Sequence, residues 1–125
     1  MIDAAELTLQ VSAGRSLARL PVLRRAVAGT AAKAGLPVDR IDDAVLLLEA
    51  LLADARTADA DELHFVLTAR PGSFVLLMGP LAGDEARRLL ATAALPLVGP
   101  VIARLATTAV TVDDGSHLLV VVEAL

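Results

Sequence analysis

Cysteine is absent from the 125 residues, which excludes disulfides, thiolate metal ligands and thiol catalysis. Tryptophan and tyrosine are absent too, and Phe65 and Phe74 are the only aromatic residues, so the stacking platforms on which exposed bases lie are missing. Positive charge does not compensate. Eleven Lys and Arg stand against fifteen Asp and Glu, a net charge of −4, the reverse of the basic footprint left by nucleic-acid recognition. Hydrophobic residues reach 56%, yet no stretch approaches the roughly eighteen apolar residues of a membrane span; the run around Ala44–Leu48 stops at Glu49. The opening MIDAAELTLQ has no basic start followed by an apolar run, so a secretory leader is not expected and a cytoplasmic setting is. The expectation is one domain over residues 1–125, large enough to bury roughly two-thirds of its unfolded surface without staples.

The patterning divides this domain into alternating layers. Glu6–Ser12 alternates polar and apolar residues and predicts a half-buried strand. Pro21 suits a first helical turn, and Val22, Leu23, Ala26, Val27, Ala31 and Ala34 repeat at helical spacing until Gly35 ends the helix. Asp39, with Asp42 three residues on, predicts the cap of a second helix reaching about Arg56. Leu63–Thr68 and Phe74–Met78 read as a hairpin turning at Arg70-Pro71-Gly72-Ser73. Asp84–Ala94 reads as a third helix, Gly99-Pro100 as the start of a short one reaching Ala106, and Ala109–Asp113 with His117–Glu123 as a closing hairpin. This order predicts an α/β (α+β) two-layer sandwich: a mixed, mostly antiparallel sheet of about five strands, with helices on one face and the last hairpin central. HLLVVVE does not alternate, so it predicts a strand covered on both faces or lying at a partner interface.

Helix two holds the residues of most interest. Asp42, Glu49 and Arg56 fall on one stripe with Leu46 and Ala53, beside an apolar face of Ile41, Val45, Leu48 and Leu52. Such a carboxylate either faces solvent or lines a cleft. His64 and His117 lack partners at ligand spacing, the serines sit in turns outside any nucleophile motif, and Arg24-Arg25 and Arg87-Arg88 read as solvated helix faces.

From the opening strand and LPVLRRAV, through AGLPVDRIDDAVLLLEALLADA, to LVGPVIARLATTAVTVDDG, the chain resembles the anti-sigma-factor serine kinases of the GHKL, or histidine-kinase-like, ATPase superfamily. That resemblance implies a Glu-Ala-x-x-Asn motif on the second helix, its glutamate a base and its asparagine a magnesium ligand. Here the stretch is Glu49-Ala50-Leu51-Leu52-Ala53, with alanine at the asparagine position. The family's Asp-x-Gly, which binds adenine, corresponds to Leu77-Met78-Gly79, without the aspartate. Its final Gly-x-Gly corresponds to Leu97-Val98-Gly99-Pro100-Val101, with proline where a phosphate-facing N–H would stand.

The resemblance therefore implies a vestigial nucleotide cleft of Glu49, Ala53, Gly79 and Gly99 and no bound cofactor. It also implies a protein-binding role in bacterial signalling or transcription control, with a sigma factor or an anti-sigma-factor antagonist as partner. The alternative is an active kinase using ATP and magnesium with Glu49 as its base; a third possibility is an unrelated α/β domain with a small-molecule pocket. The apolar excess predicts a homodimer formed through a sheet edge, at Glu6–Ser12 or the final strand, or through an apolar helix face.

Overall fold

The computed structural model describes residues 7–13, 20–54, 63–81, 84–92, 94–95, 99–100, 102–113 and 115–124. The order is β1 (Leu7–Ala13), α1 (Leu20–Lys33), α2 (Val38–Asp54), β2 (Leu63–Arg70), β3 (Ser73–Gly79), α3 (Glu85–Thr92), β4 (Ala94–Leu95), β5 (Gly99–Pro100), α4 (Ile102–Leu105), β6 (Thr108–Val112) and β7 (His117–Glu123). Strands β2, β3, β7 and β6 make an open antiparallel sheet, and β1 pairs with the outer side of β2, giving the order β1-β2-β3-β7-β6. Every strand pairing is antiparallel, where the sequence pattern predicts a mixed sheet. The connection from β3 to β6 returns the chain in the direction of β3, but β7 inserts between the two strands, so no parallel neighbours arise.

Alternation decides which side the helices cover. Phe65, Leu67 and Ala69 of β2, Phe74, Leu76 and Met78 of β3, and Leu118, Val120 and Val122 of β7 are all buried, at 1% exposure or less. The register pairs them row by row, Phe65 with Met78 and Met78 with Leu118, Leu67 with Leu76 and Leu76 with Val120. They form one core with Leu23, Val27 and Ala31 of α1, Leu47, Leu48 and Leu51 of α2, and Leu89 of α3. Helices α1 and α2 lie side by side in this layer. The intervening strand residues, among them Val66, Val75, Leu77, Leu119 and Val121, are only partly covered. HLLVVVE therefore alternates in burial although not in composition.

Helix boundaries follow local chemistry. Gly35 adopts φ +83° after α1, where an L side chain would be strained. The predicted cap of α2 moves by two residues: the Pro37 carbonyl accepts from the amides of Arg40 and Ile41, so Asp39 lies inside the first turn, favourably placed for the positive end of the dipole. The α2 end stops at Asp54, and the expected extension to Arg56 lies outside the described residues. At the β2–β3 turn only Pro71 and Gly72 lie outside the strands, Gly72 at φ +76°. Gly99-Pro100 does not open a helix. It pairs as β5 with Ala94–Leu95, which also shortens the third helix to Thr92. The charge at the start of α3 is internal, since Glu85 is buried and its Oε1 accepts from Arg88 Nε at 2.6 Å.

Arg40 ties the helical layer to the end of the sheet. Its Nε donates to the Glu123 carbonyl at 2.8 Å, Nη1 to Asp43 Oδ2 at 2.8 Å and to the Leu105 carbonyl at 3.1 Å, and Nη2 to Thr107 Oγ1 at 3.2 Å. Thr107 Oγ1 in turn accepts from the Glu123 amide at 2.9 Å. One guanidinium thus closes α2, the exit of α4 and both strands of the last hairpin. Replacing Arg40 by methionine keeps the aliphatic stem but leaves two carbonyls unpaired in a half-buried place. The variant should lose about 1–3 kcal/mol in urea unfolding, whereas Arg25→Met, on an exposed helix position, should stay within about 0.5 kcal/mol.

Candidate functional site

Glu49 projects from the fourth turn of α2 at the seam with α1, where Leu23, Val27, Leu47, Leu48 and Leu51 bury the apolar side of both helices. Its carboxylate is about a quarter exposed, and Oε1 accepts from Arg24 Nε at 2.6 Å. Among the described residues Arg24 is the hydrogen-bond partner of this carboxylate. The pair bridges the two helices on their solvent side, and its half-exposed guanidinium limits it to about 0–1 kcal/mol. Arg24, read from the sequence as a solvated position, is thus the neighbour that claims Glu49. Asp42, on the same stripe, is exposed, and Arg56 lies outside the described residues.

The other positions of the expected cleft distribute as follows. Ala53 stands one turn after Glu49 on α2, within its last turn. Gly99 is in β5, whose partner β4 packs on α2. Gly79 ends β3, followed by a cis peptide to Pro80. Its missing side chain points to the sheet face opposite the helices, because Gly79 continues the outward series of Val75 and Leu77. The structure therefore joins Ala53 to Glu49 along one helix and packs the strand that pairs with Gly99 on that helix, while the open side of Gly79 faces the other way.

That side of Gly79 is filled by His117. A Cβ built on Gly79 would lie 2.4 Å from His117 Cδ2 and 2.8 Å from Nε2, which no real contact allows. The ring is held from behind by the turn: His117 Nδ1 is 2.8 Å from Ser116 Oγ and 3.5 Å from Asp113 Oδ2. Asp113 is in the left-handed region at φ 54°. Serine, histidine and aspartate in contact suggest a nucleophile, but the connectivity excludes a relay. In a relay the serine and the aspartate engage opposite ring nitrogens, whereas here both face Nδ1. Ser116 Oγ also donates its hydrogen to the Asp113 carbonyl at 2.8 Å, leaving Nδ1–H as donor to the serine oxygen. The trio is a turn lock that aims the imidazole over Gly79. Nothing in the sequence identifies it without the register that sets His117 beside Gly79, since composition alone shows only a turn and a strand histidine.

A hollow of about 350 Å³ opens between α3, α4 and β6, lined by Leu90, Ile102, Ala106, Thr107, Thr108 and Ala109. No lining residue is titratable, and Thr107 Oγ1 already serves Arg40 and the Glu123 amide. The hollow has a mixed lining, polar at Thr107 and Thr108, and offers no acid or base. Among the described residues no group of three or more His, Asp or Glu could hold a metal ion, and no helix is long and apolar enough to cross a membrane. The sequence matches no protein-family model and no curated protein.

The packing of His117 on Gly79 makes a measurable coupling. Gly79→Ala should destabilise the protein by about 1–3 kcal/mol through overpacking. In a His117→Ala background the same change should cost at least about 1 kcal/mol less, as contacting residues couple on that scale. A double-mutant cycle by urea denaturation reads both values.

Proposed function

We propose that the chain is a nucleotide-deficient protein-binding module of the anti-sigma-kinase-like, histidine-kinase-like ATPase fold, acting in bacterial cytoplasmic signalling or transcription control. The observation that carries the reading is the state of Glu49. The one intact residue of the expected catalytic motif accepts a 2.6 Å bond from Arg24, and the next turn of the helix offers alanine at position 53. An alanine methyl supplies no oxygen to magnesium, whose coordination demands hard oxygen ligands. Leu77-Met78 likewise offers no carboxylate to an adenine amino group, and Pro100 has no amide hydrogen for a phosphate. Three separate contributions to nucleotide affinity are lost together, so recovering one of them cannot restore the site. The element order of strand, two helices, hairpin, helix, short helix and hairpin supports the fold assignment at the level of topology. A sigma factor or an anti-sigma-factor antagonist is the class of partner this reading implies.

Calorimetric titration with magnesium and a non-hydrolysable ATP analogue tests the reading. No saturable heat is expected at millimolar nucleotide, and Ala53→Asn alone should not produce any. Micromolar affinity in the unaltered chain would establish the opposite reading, an active kinase with Glu49 as base.

A further inference from the structure

Both histidines of the chain stand on one row of the sheet. Phe65, Met78 and Leu118 are buried beneath the helices, so His64, Gly79 and His117, their neighbours in sequence, turn to the opposite face. His64 pairs with Gly79, and the pairing of Met78 with Leu118 sets His117 beside Gly79 on its other flank. The row therefore reads histidine, glycine, histidine across β2, β3 and β7. Two strand spacings, about 9.6 Å, separate the two histidine backbones, and glycine puts no side chain in the gap. The Cγ–Cδ2–Nε2 edge of His117 lies over Gly79, with Nε2 2.8 Å from the place a Cβ would take. This imidazole leans from β7 toward β2. One further strand spacing, about 4.8 Å, then remains for the His64 ring and a metal–nitrogen bond of about 2.0–2.1 Å.

The turn before β7 decides which nitrogen of His117 is bare. Ser116 Oγ gives its hydrogen to the Asp113 carbonyl at 2.8 Å and so accepts from His117 Nδ1 at 2.8 Å. Nε2 keeps its lone pair. Asp113 Oδ2 stands 3.5 Å from the same Nδ1, and a ligating imidazole takes this form: one N–H held by oxygen partners that orient the ring and raise its basicity, the other nitrogen turned to the metal. The ring and the glycine beneath it are also held together, because the Ser116 carbonyl accepts from the Leu81 amide at 2.7 Å, two residues after Gly79. β7, expected from the sequence to offer a free edge, is paired on both sides, so His117 lies within the sheet and not at its margin.

We propose that His64 and His117 hold a divalent transition-metal ion over Gly79, His117 through Nε2. The inference goes beyond the reading above and needs neither its protein partner nor its nucleotide. Imidazole ligands suit zinc, nickel and copper, whereas magnesium and calcium take oxygen. Two protein ligands are fewer than the three of a catalytic zinc site, so water fills the remaining positions and the ion exchanges with solution. His64 is exposed and has a contact of its own; an imidazole engaged through one nitrogen still offers the other. The bound ion ties β2 to β7 across β3. Local spacing shows no such pair, and the register creates it.

The chain has two histidines and no cysteine, so an added ion finds no other imidazole and no thiolate. Zinc chloride titrated into the untagged chain, followed by nitrogen–proton correlation NMR of the imidazoles, tests the proposal. Before zinc, His117 should show the tautomer protonated at Nδ1. Zinc should then shift both rings together along one saturation curve that ends at one ion per chain. Loss of an outer partner of a metal ligand costs about 10–100-fold in affinity, the fall expected for Ser116→Ala, and His64→Ala, at an exposed position, should lose at least as much. Zinc at millimolar concentration that shifts neither ring or only one, zinc that joins two chains in sedimentation instead of binding within one, or a His64→Ala chain that binds as tightly as the unaltered one would overturn the proposal. None of these results bears on the nucleotide titration, so failure of this site is distinguishable from failure of the pseudo-enzyme reading.

Discussion

The unequal covering of the two sides of the sheet governs the rest of this structure. Phe65, Leu67, Phe74, Leu76, Met78, Leu118, Val120 and Val122 all project to one side, and burying them requires α1, α2 and α3 to lie there. Large side chains fill this layer, and each contributes about 1.5–3 kcal/mol when removed from water. Once the helices are so placed, their polar positions meet at the outer seam, where Arg24 reaches Glu49. The other sheet face receives valine, leucine and threonine, and among the described residues no helix covers them. A chain that is 56% hydrophobic therefore carries apolar surface beyond the core it can enclose in two layers.

Much of this fold is legible in the sequence because it rests on short-range signals. Periodicity locates α1, α2, β2, β3 and the last hairpin to within a few residues, since apolar spacing and turn glycines act over one turn or one loop. Gly35 and Gly72 end their elements where expected and take positive φ. Failures cluster where distant partners decide. Gly99-Pro100 resembles a helix start, yet Ala94–Leu95 captures it as a strand. Asp39 looks like a cap, yet the Pro37 carbonyl takes that place, a choice made by backbone geometry rather than side-chain type. Arg40 reaches carbonyls 65 and 83 residues away, and no local pattern encodes such a reach.

The candidate site follows the same division. What the proposed reading draws on, alanine at position 53, no carboxylate in Leu77-Met78 and proline at position 100, is legible in residue types alone. The engagement of Glu49 by Arg24 is not, because twenty-five residues and a helix crossing separate them. The same holds for His117, whose position over Gly79 depends on strand register. HLLVVVE does not alternate in composition, yet its outward Leu119 and Val121 are only partly covered, a difference that the register and not the residue types decides.

Methyl-resolved NMR with magnesium–ATP tests most directly the claim that the chain has no working nucleotide cleft. The account predicts that millimolar nucleotide leaves the methyls of Leu47, Leu48 and Leu51 on α2 fixed. Saturable shifts of these α2 methyls near Glu49 would contradict it.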